Sequence, residues 1–163
     1  MFQIMVFVTY LGNWQVIVGF GVVAVAILAL LRKKQETVFL VAALISGEII
    51  KEILKFIVRR PRPDASLALI QESGYSFPSG HAMMAIIFYG IIGYFIYKLC
   101  RKKWQKIIIS IAAGAFIFLI GFSRIYLGVH WTSDVIAGWL LGFLIIGATW
   151  KIFNDGVYFA KRT

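Results

Sequence analysis

Apolar residues dominate this chain in five long stretches, which are separated by short polar or charged connections. The stretches are 14–31, 37–56, 79–97, 107–122 and 132–150. Each is close to the roughly 20 apolar residues that a helix needs to cross a membrane. The apolar residues surround the helix and do not form a single face, which is typical of helices in lipid. The pattern therefore predicts five transmembrane helices.

The first stretch is expected to remain in the protein as a span. Residues 4–31 carry no charge, and this run is longer than the roughly 7 to 15 apolar residues of a signal-peptide core. Gly12 and Asn13 mark the point where an interfacial N-terminal segment passes into the span.

Composition supports a membrane protein and excludes two other classes. Of the 163 residues, 61% are hydrophobic and 15% are charged, and the mean hydropathy is +0.86. Soluble domains average about 25% charged residues, and disordered chains are far less apolar. We therefore expect an all-α, polytopic membrane helical bundle. Its length allows a single domain, 1–163, and no second one.

The distribution of the 17 basic residues predicts the orientation of the bundle. Eleven of them lie in the connections 32–36 and 98–106 and in the tail from 151 onward. The positive-inside rule places these segments in the cytoplasm, so the N-terminus and the loops 57–78 and 123–131 face outward. The net charge of +10 belongs to this membrane arrangement, and we expect no nucleic-acid partner. The six basic residues at or near the outer side are Lys51, Lys55, Arg59, Arg60, Arg62 and Arg124.

The largest outward loop lies between the second and third predicted spans and contains all three prolines of the chain. Proline breaks a helix, so the segment is expected to be irregular. Its apolar run, 67–70, is expected to lie on the membrane surface as a short lid.

Both histidines of the chain, His81 and His130, fall at the outward end of a predicted span. Asp134 follows His130 by four residues, so on a helix its carboxylate lies on the same face and can accept a hydrogen bond from the imidazole. Such a pair fixes the tautomer and leaves the other ring nitrogen free as a nucleophile.

The segment 78–81, P-S-G-H, has the pattern of a helix start that can bind an anion. Ser79 is a favourable N-cap residue, and Gly80 permits close approach of a ligand to the backbone. Unpaired N–H groups at such a helix start bind phosphate. Cations from other outward segments would join them, namely Lys55, Arg62 and Arg124. Together with the two histidines, these residues predict a phosphate site.

These residues resemble the type 2 phosphatidic acid phosphatase family, whose site pattern is shared with vanadium-dependent haloperoxidases and bacterial acid phosphatases. Three motifs match in order: K-x6-R-P at 55–63, P-S-G-H at 78–81 and S-R-x5-H-x3-D at 123–134. Membrane members of the family often have six spans, and the comparison predicts that the first of them is absent here.

The resemblance implies hydrolysis of a phosphate monoester or diphosphate on a membrane lipid through a phosphohistidine. His130 would attack phosphorus, Asp134 would orient it, and His81 would protonate the leaving oxygen and later activate water. No cofactor and no metal site would be needed. The resemblance also implies a bacterial cytoplasmic membrane, with the site on the periplasmic or outer side. The phosphoryl oxygens would be held by Lys55, Arg62, Ser79, the Gly80 amide and Arg124.

Two other functions remain open at this point: a catalytically silent lipid-phosphate binder or transporter, and a vanadate-dependent haloperoxidase. Intact His130 and Asp134 argue against the first, because binding alone needs only cations. The high hydropathy argues against the second. The lipid is equally open among phosphatidylglycerophosphate, undecaprenyl diphosphate and a lipid A phosphate, and so is the oligomeric state.

Charged residues outside the motifs have alternative interpretations. Residues 48–55 carry a charged stripe, which either pairs with itself or uses Glu52 to position Lys55 or an arginine. Arg59 and Arg60 either recruit anionic lipids or anchor the chain at the interface. The stripe consists of Glu48, Lys51, Glu52 and Lys55.

Overall fold

The computed structural model describes residues 1–160, with side chains for 1–153, as six α-helices and no strand. Two of the basic residues assigned to the cytoplasmic side, Lys161 and Arg162, lie outside the described residues. The all-helical class predicted from the sequence is confirmed. The helices are α1 Phe2–Tyr10, α2 Trp14–Leu30, α3 Lys34–Val58, α4 Gly80–Leu99, α5 Lys103–Tyr126 and α6 Thr132–Ala160.

Among the residues that the structure describes, three helices are long and apolar enough to cross a membrane, namely α4, α5 and the part of α6 at Thr132–Phe153. Helices α1 and α2 meet that criterion only as a pair, which is bent by 49°. Helix α3 carries too many charges to meet it, because the stripe at 48–55 lies in its second half. The five predicted spans lie within α2 to α6, apart from Leu31 and Ser79 at their ends, and that all five cross a membrane stays a prediction.

Helix α4 lies at the centre of the bundle and packs against α2, α3, α5 and α6. All of its residues from 82 to 88 are buried. Helix α6 approaches α4 closely because two positions have no side chain. A Cβ on Gly138 would fall 2.7 Å from the Ser79 carbonyl oxygen, and one on Gly142 would fall 2.8 Å from the Ile86 Cβ. These glycines bring the N-termini of α4 and α6 together at one end of the bundle.

The loop between α3 and α4 crosses that same end of the bundle. Its amide at Leu69 donates a hydrogen bond to the Leu127 carbonyl oxygen at 3.0 Å. Ala68 and Ile70 pack on a buried cluster that includes Leu127, whereas Leu67 and Leu69 are exposed. Alternate side chains of the run 67–70 therefore pack on the protein, and the others are exposed where they could contact a membrane.

Candidate active site

A cavity of about 560 Å³ opens at the end of the bundle where α4 begins. Two sequence-predicted site residues do not line it. These are Ser79 and Asp134, which are fully buried next to residues that do. The lining includes the other six predicted residues, Lys55, Arg62, Gly80, His81, Arg124 and His130. The fold thus brings three distant segments of the sequence to one cavity.

His130 lies in the turn between α5 and α6, with only 4% of the residue exposed. Its Nδ1 is 3.5 Å from the Asp134 Oδ2, which is longer than a good hydrogen bond, and Nδ1 has no closer partner among the described residues. Its Nε2 is 3.2 Å from the Arg62 Nη1. A guanidinium only donates, so Nε2 is the acceptor and the ring proton sits on Nδ1, toward Asp134. The lone pair at Nε2 is therefore held beside the Arg62 guanidinium.

Burial lowers the pKa of His130, and the neighbouring Asp134 carboxylate offsets part of that lowering. Arg124 and Arg62 lower the pKa further. The imidazole is consequently neutral near pH 7, which is the form with a lone pair to donate.

Asp134 is held by two donors besides His130. Its Oδ1 accepts from the Arg60 Nη1 at 2.8 Å, and its Oδ2 accepts from the Trp131 amide at 3.0 Å. The Arg60 guanidinium also lies over the Trp131 ring. The sequence left Arg60 open between recruiting anionic lipids and anchoring the chain at the interface, and neither alternative included this contact with Asp134. The 74-residue separation between Arg60 and Asp134 left no sequence signal for the pair.

Arg62 is fixed by backbone carbonyls that point at its guanidinium. It donates to the Val129, Gly74 and Ser73 carbonyl oxygens at 2.8, 3.1 and 2.9 Å. Burial lowers the pKa of Arg62, but an arginine stays charged in a protein. The loop thus presents a fixed cation next to the His130 lone pair.

Arg124 is almost completely buried, with 1% exposed, and points into the cavity from the end of α5. Its Nη2 lies 2.5 Å from the Glu72 Oε1, and its Nη1 donates to the Thr9 hydroxyl of α1 at 2.7 Å. The Glu72 Oε2 is also 3.9 Å from the Arg62 Nη2. Glu72 therefore places a carboxylate between two cations that were assigned to phosphate.

Sequence reasoning missed Glu72, which has no motif around it. Burial raises its pKa, but the charge and hydrogen bond of Arg124 outweigh that effect, so the pKa of Glu72 is lowered. The side chain is an anion at neutral pH. The carboxylate lines the cavity and contacts both Arg124 and Arg62.

The start of α4 is joined to the start of α6 through the backbone. Ser79 caps α4, with its hydroxyl 3.5 Å from the Ala82 amide, and its own amide donates to the Asp134 carbonyl oxygen at 3.0 Å. In the first turn of α4, the His81 Nε2 is 2.6 Å from the Asn13 Oδ1. The two histidines line one cavity and are held by different partners.

The charged stripe of α3 pairs largely with itself. Lys51 lies 2.5 Å from Glu48 and 3.1 Å from Glu52, so Glu52 serves Lys51 and is not the partner of Lys55. Lys55 has no carboxylate within 4.0 Å among the described side chains and lines the cavity.

Within residues 1–153, no three His, Cys, Asp or Glu side chains form a group that could hold a metal ion.

Comparison with known proteins agrees with this arrangement. Residues 36–158 match the PAP2 superfamily. Phosphatidylglycerophosphatase B of Bacillus subtilis is 35% identical over 88% of this chain and 70% of its own length. Undecaprenyl-diphosphatase of Sulfolobus acidocaldarius is 33% identical over 77% of this chain and 59% of its own length.

A crystal structure has the same fold. It is that of a transmembrane PAP2-type phosphatidylglycerolphosphate phosphatase from Bacillus subtilis, with a TM-score of 0.85 and 33% identity over 96% of this chain and 77% of that one. Together with the membrane-length helices, these relatives make the chain an integral membrane protein. The family resemblance predicted from the three motifs is confirmed, and the chain belongs to the PAP2 superfamily.

Proposed function

We propose that the chain removes phosphate from a membrane lipid phosphate monoester or diphosphate through a phosphohistidine at His130, without a metal ion. Membership of the PAP2 superfamily makes it a lipid phosphate phosphatase. The observation that carries the proposal is that His130 and His81 line one cavity together with Lys55, Arg62 and Arg124.

In the first step the His130 Nε2 attacks phosphorus with its lone pair, and the bond from phosphorus to the leaving oxygen breaks. The positive charge that develops on the imidazole is balanced by Asp134, whose Oδ2 is 3.5 Å from Nδ1. A shift of about half an ångström would bring these atoms to ordinary hydrogen-bond distance. Arg60 and the Trp131 amide hold the carboxylate in place during this shift.

His81 handles the proton of each step. As an imidazolium it gives a proton to the leaving oxygen, which departs as an alcohol or as a lipid phosphate. The neutral ring then accepts a proton from water, and the resulting hydroxide attacks the phosphohistidine. Inorganic phosphate and neutral His130 are released, so atoms and charges balance over the cycle.

The cations supply most of what phosphoryl transfer requires. The transferred group carries its charge on three oxygens, and positioned cations and N–H groups neutralise that charge. Lys55, Arg62 and Arg124 line the cavity, and the Gly80 amide at the start of α4 adds a donor. We assign Ser79 to the same anion site through its place at this helix start.

The cavity wall supports a lipid as the substrate. One side of the lining is apolar and comes from α2 and α3, with Ile17 and Val18 on one helix and Leu44 and Ile45 on the other. Phosphatidylglycerophosphate, undecaprenyl diphosphate and a lipid A phosphate all fit this combination of apolar wall and cationic end. We place the site on the outer side of a bacterial cytoplasmic membrane, because the basic connections at 32–36 and 98–106 belong in the cytoplasm.

The test is release of inorganic phosphate from these three lipids in mixed micelles, with EDTA present. The wild-type protein should release phosphate from at least one of them, and orthovanadate should inhibit. With a lipid radiolabelled at its terminal phosphate, quenching in alkaline detergent should trap a phosphoprotein that survives alkali and loses its label in acid. His130→Ala should abolish both the label and the turnover, while Cys100→Ala, at the far end of α4, should retain both.

Two results would reject this proposal. Binding of the lipids without any phosphate release would favour a silent binder or transporter. A labelled phosphoprotein in a folded His130→Ala variant would reject the assigned nucleophile.

A further inference from the structure

Asn13 occupies the N-cap position of α2, yet its side chain does not cap the helix. An N-cap asparagine normally accepts a hydrogen bond from an amide of the first turn, and that bond stabilises the start of the helix. Here the Asn13 Oδ1 lies instead 2.6 Å from the His81 Nε2. The side chain therefore contacts His81, which is 68 residues away in the sequence, and makes no cap hydrogen bond to its own helix.

The turn between α1 and α2 is built so that this contact can form. A Cβ on Gly12 would fall 3.0 Å from the His81 Cδ2 and 2.7 Å from the Ile120 Cγ2, so only glycine allows the turn to lie this close. The Tyr89 hydroxyl of α4 donates to the Leu11 carbonyl oxygen at 2.7 Å and anchors the turn from the other side. Two independent contacts therefore hold the backbone that carries Asn13.

We propose that Asn13 is a positioning residue for His81 and decides which ring nitrogen moves the proton. An amide oxygen only accepts, so the His81 Nε2 keeps its proton in both charge states of the ring. The proton that passes to the leaving oxygen is then the one on Nδ1, and Nδ1 later takes the proton from water. This inference rests on the proposed function, in which His81 is the acid.

The arrangement mirrors that of the nucleophile with one chemical difference. Asp134 faces the His130 Nδ1 with a carboxylate, which stabilises the cation that forms during attack. Asn13 faces His81 with a neutral oxygen, which orients the ring without adding an anion that would retain the proton. A group that must give up its proton in one step and regain it in the next is served by such a neutral partner.

Nitrogen NMR tests the contact directly, because the chain has only two histidines. Protein labelled with ¹⁵N-histidine is studied in detergent at alkaline pH, where both rings are neutral, and His130→Ala assigns the signals. The His81 ring should be the Nε2–H tautomer in the wild type and in Asn13→Asp. In Asn13→Leu, whose side chain has the same number of heavy atoms but no hydrogen-bonding group, the fraction of the Nε2–H tautomer should fall.

Kinetics test the consequence with two substrates that share one chain, farnesyl phosphate and farnesyl diphosphate. The monophosphate expels an alkoxide and needs the acid, whereas the diphosphate expels a phosphate and needs it less. Asn13→Leu should lower kcat about 10- to 100-fold on the monophosphate and about threefold or less on the diphosphate. Gln3→Ala, which removes an exposed amide side chain from α1, should change neither.

The outcomes separate this inference from the proposed function. An Nδ1–H tautomer of His81 in the wild type, or an equal loss of kcat on both substrates, would overturn the role of Asn13 and leave the phosphohistidine mechanism standing. A wild-type protein that releases phosphate from neither substrate, nor from the three lipids, would reject the proposed function and the catalytic role of Asn13 with it.

Discussion

Arg60 holds Asp134 from the side opposite His130, with its Nη1 2.8 Å from the Oδ1 of the carboxylate. Asp134 is fully buried, so the loss of Arg60 would leave a carboxylate oxygen short of a partner. We expect Arg60→Ala to lower kcat about 10- to 100-fold with little change in KM, because neither Arg60 nor Asp134 lines the cavity.

Arg59 provides the control for that substitution. It is the exposed neighbour of Arg60, and its guanidinium lies over the Phe56 ring, away from the site. Arg59→Ala should retain wild-type kinetics. Equal loss in the two variants would mean that the positive charge of the segment matters and not the contact with Asp134.

The pH dependence of kcat/KM should show a His130 that stays neutral below the ordinary histidine pKa. The reactive form has a free lone pair, and burial lowers the pKa of this ring. As pH falls, activity should therefore persist past the ordinary histidine value of about 6.5 and decline only below it. Asp134 opposes the lowering, so Asp134→Asn should shift the acid limb to still lower pH, besides slowing turnover. An acid limb at or above the ordinary value would contradict this assignment.

Glu72 should compete with anions for the cavity, because it lies between Arg124 and Arg62. Glu72→Gln removes the negative charge, and we expect orthovanadate to inhibit this variant at a several-fold lower concentration. The variant should also unfold at a lower temperature, since the buried Arg124 loses its partner. Glu36→Gln is the control, because Glu36 lies in the first turn of α3, at the end of that helix remote from the cavity. Unchanged vanadate inhibition in a folded Glu72→Gln variant would show that Glu72 does not occupy the anion site.

Two glycines of α6 should respond in opposite directions to alanine. At Gly138 the new Cβ would meet the Ser79 carbonyl oxygen at 2.7 Å, and a backbone atom cannot turn away. Gly138→Ala should lower stability by about 1 to 3 kcal/mol. At Gly147 no atom lies within 4 Å of the new Cβ, so Gly147→Ala should be neutral or stabilising by up to about 1 kcal/mol. Thermal unfolding in detergent measures both, and equal effects would contradict the close contact of α4 and α6.

Cys100 should report the orientation of the bundle. It is the only cysteine of the chain and follows α4 at the end remote from the cavity. An impermeant thiol reagent should label it in inverted membrane vesicles and not from outside intact cells. Labelling from outside would reverse the topology and place the cavity on the cytoplasmic side.

The parts of the site that could be predicted from the sequence are those with short spacing. His130 and Asp134 are four residues apart at a helix start, and Ser79 precedes His81 in one motif, so local geometry alone brings each pair together. Helices α2 to α6 could also be predicted from the sequence, because each corresponds to a long apolar run. The bounds of α1 could not be predicted, because its apolar residues continue into the following turn without a change in composition.

The residues that escaped prediction are joined only by the fold. Arg60 reaches Asp134 and Glu72 reaches Arg124 across separations of 74 and 52 residues, which no local pattern records. Asn13 was interpreted as a turn residue, since asparagine is common in turns. Its contact with His81 depends on how α2 packs on α4, which periodicity does not specify.

The hydrogen bond from the Ser79 amide to the Asp134 carbonyl oxygen joins main-chain atoms only. Alanine scanning deletes side chains and leaves this bond intact at both ends. A mild phenotype for Ser79→Ala would therefore report on the hydroxyl alone and say nothing about the junction. An amide-to-ester replacement at residue 79 would remove this bond alone, and would show how much of the spacing between the two histidine motifs depends on it and how much on the close contact at Gly138.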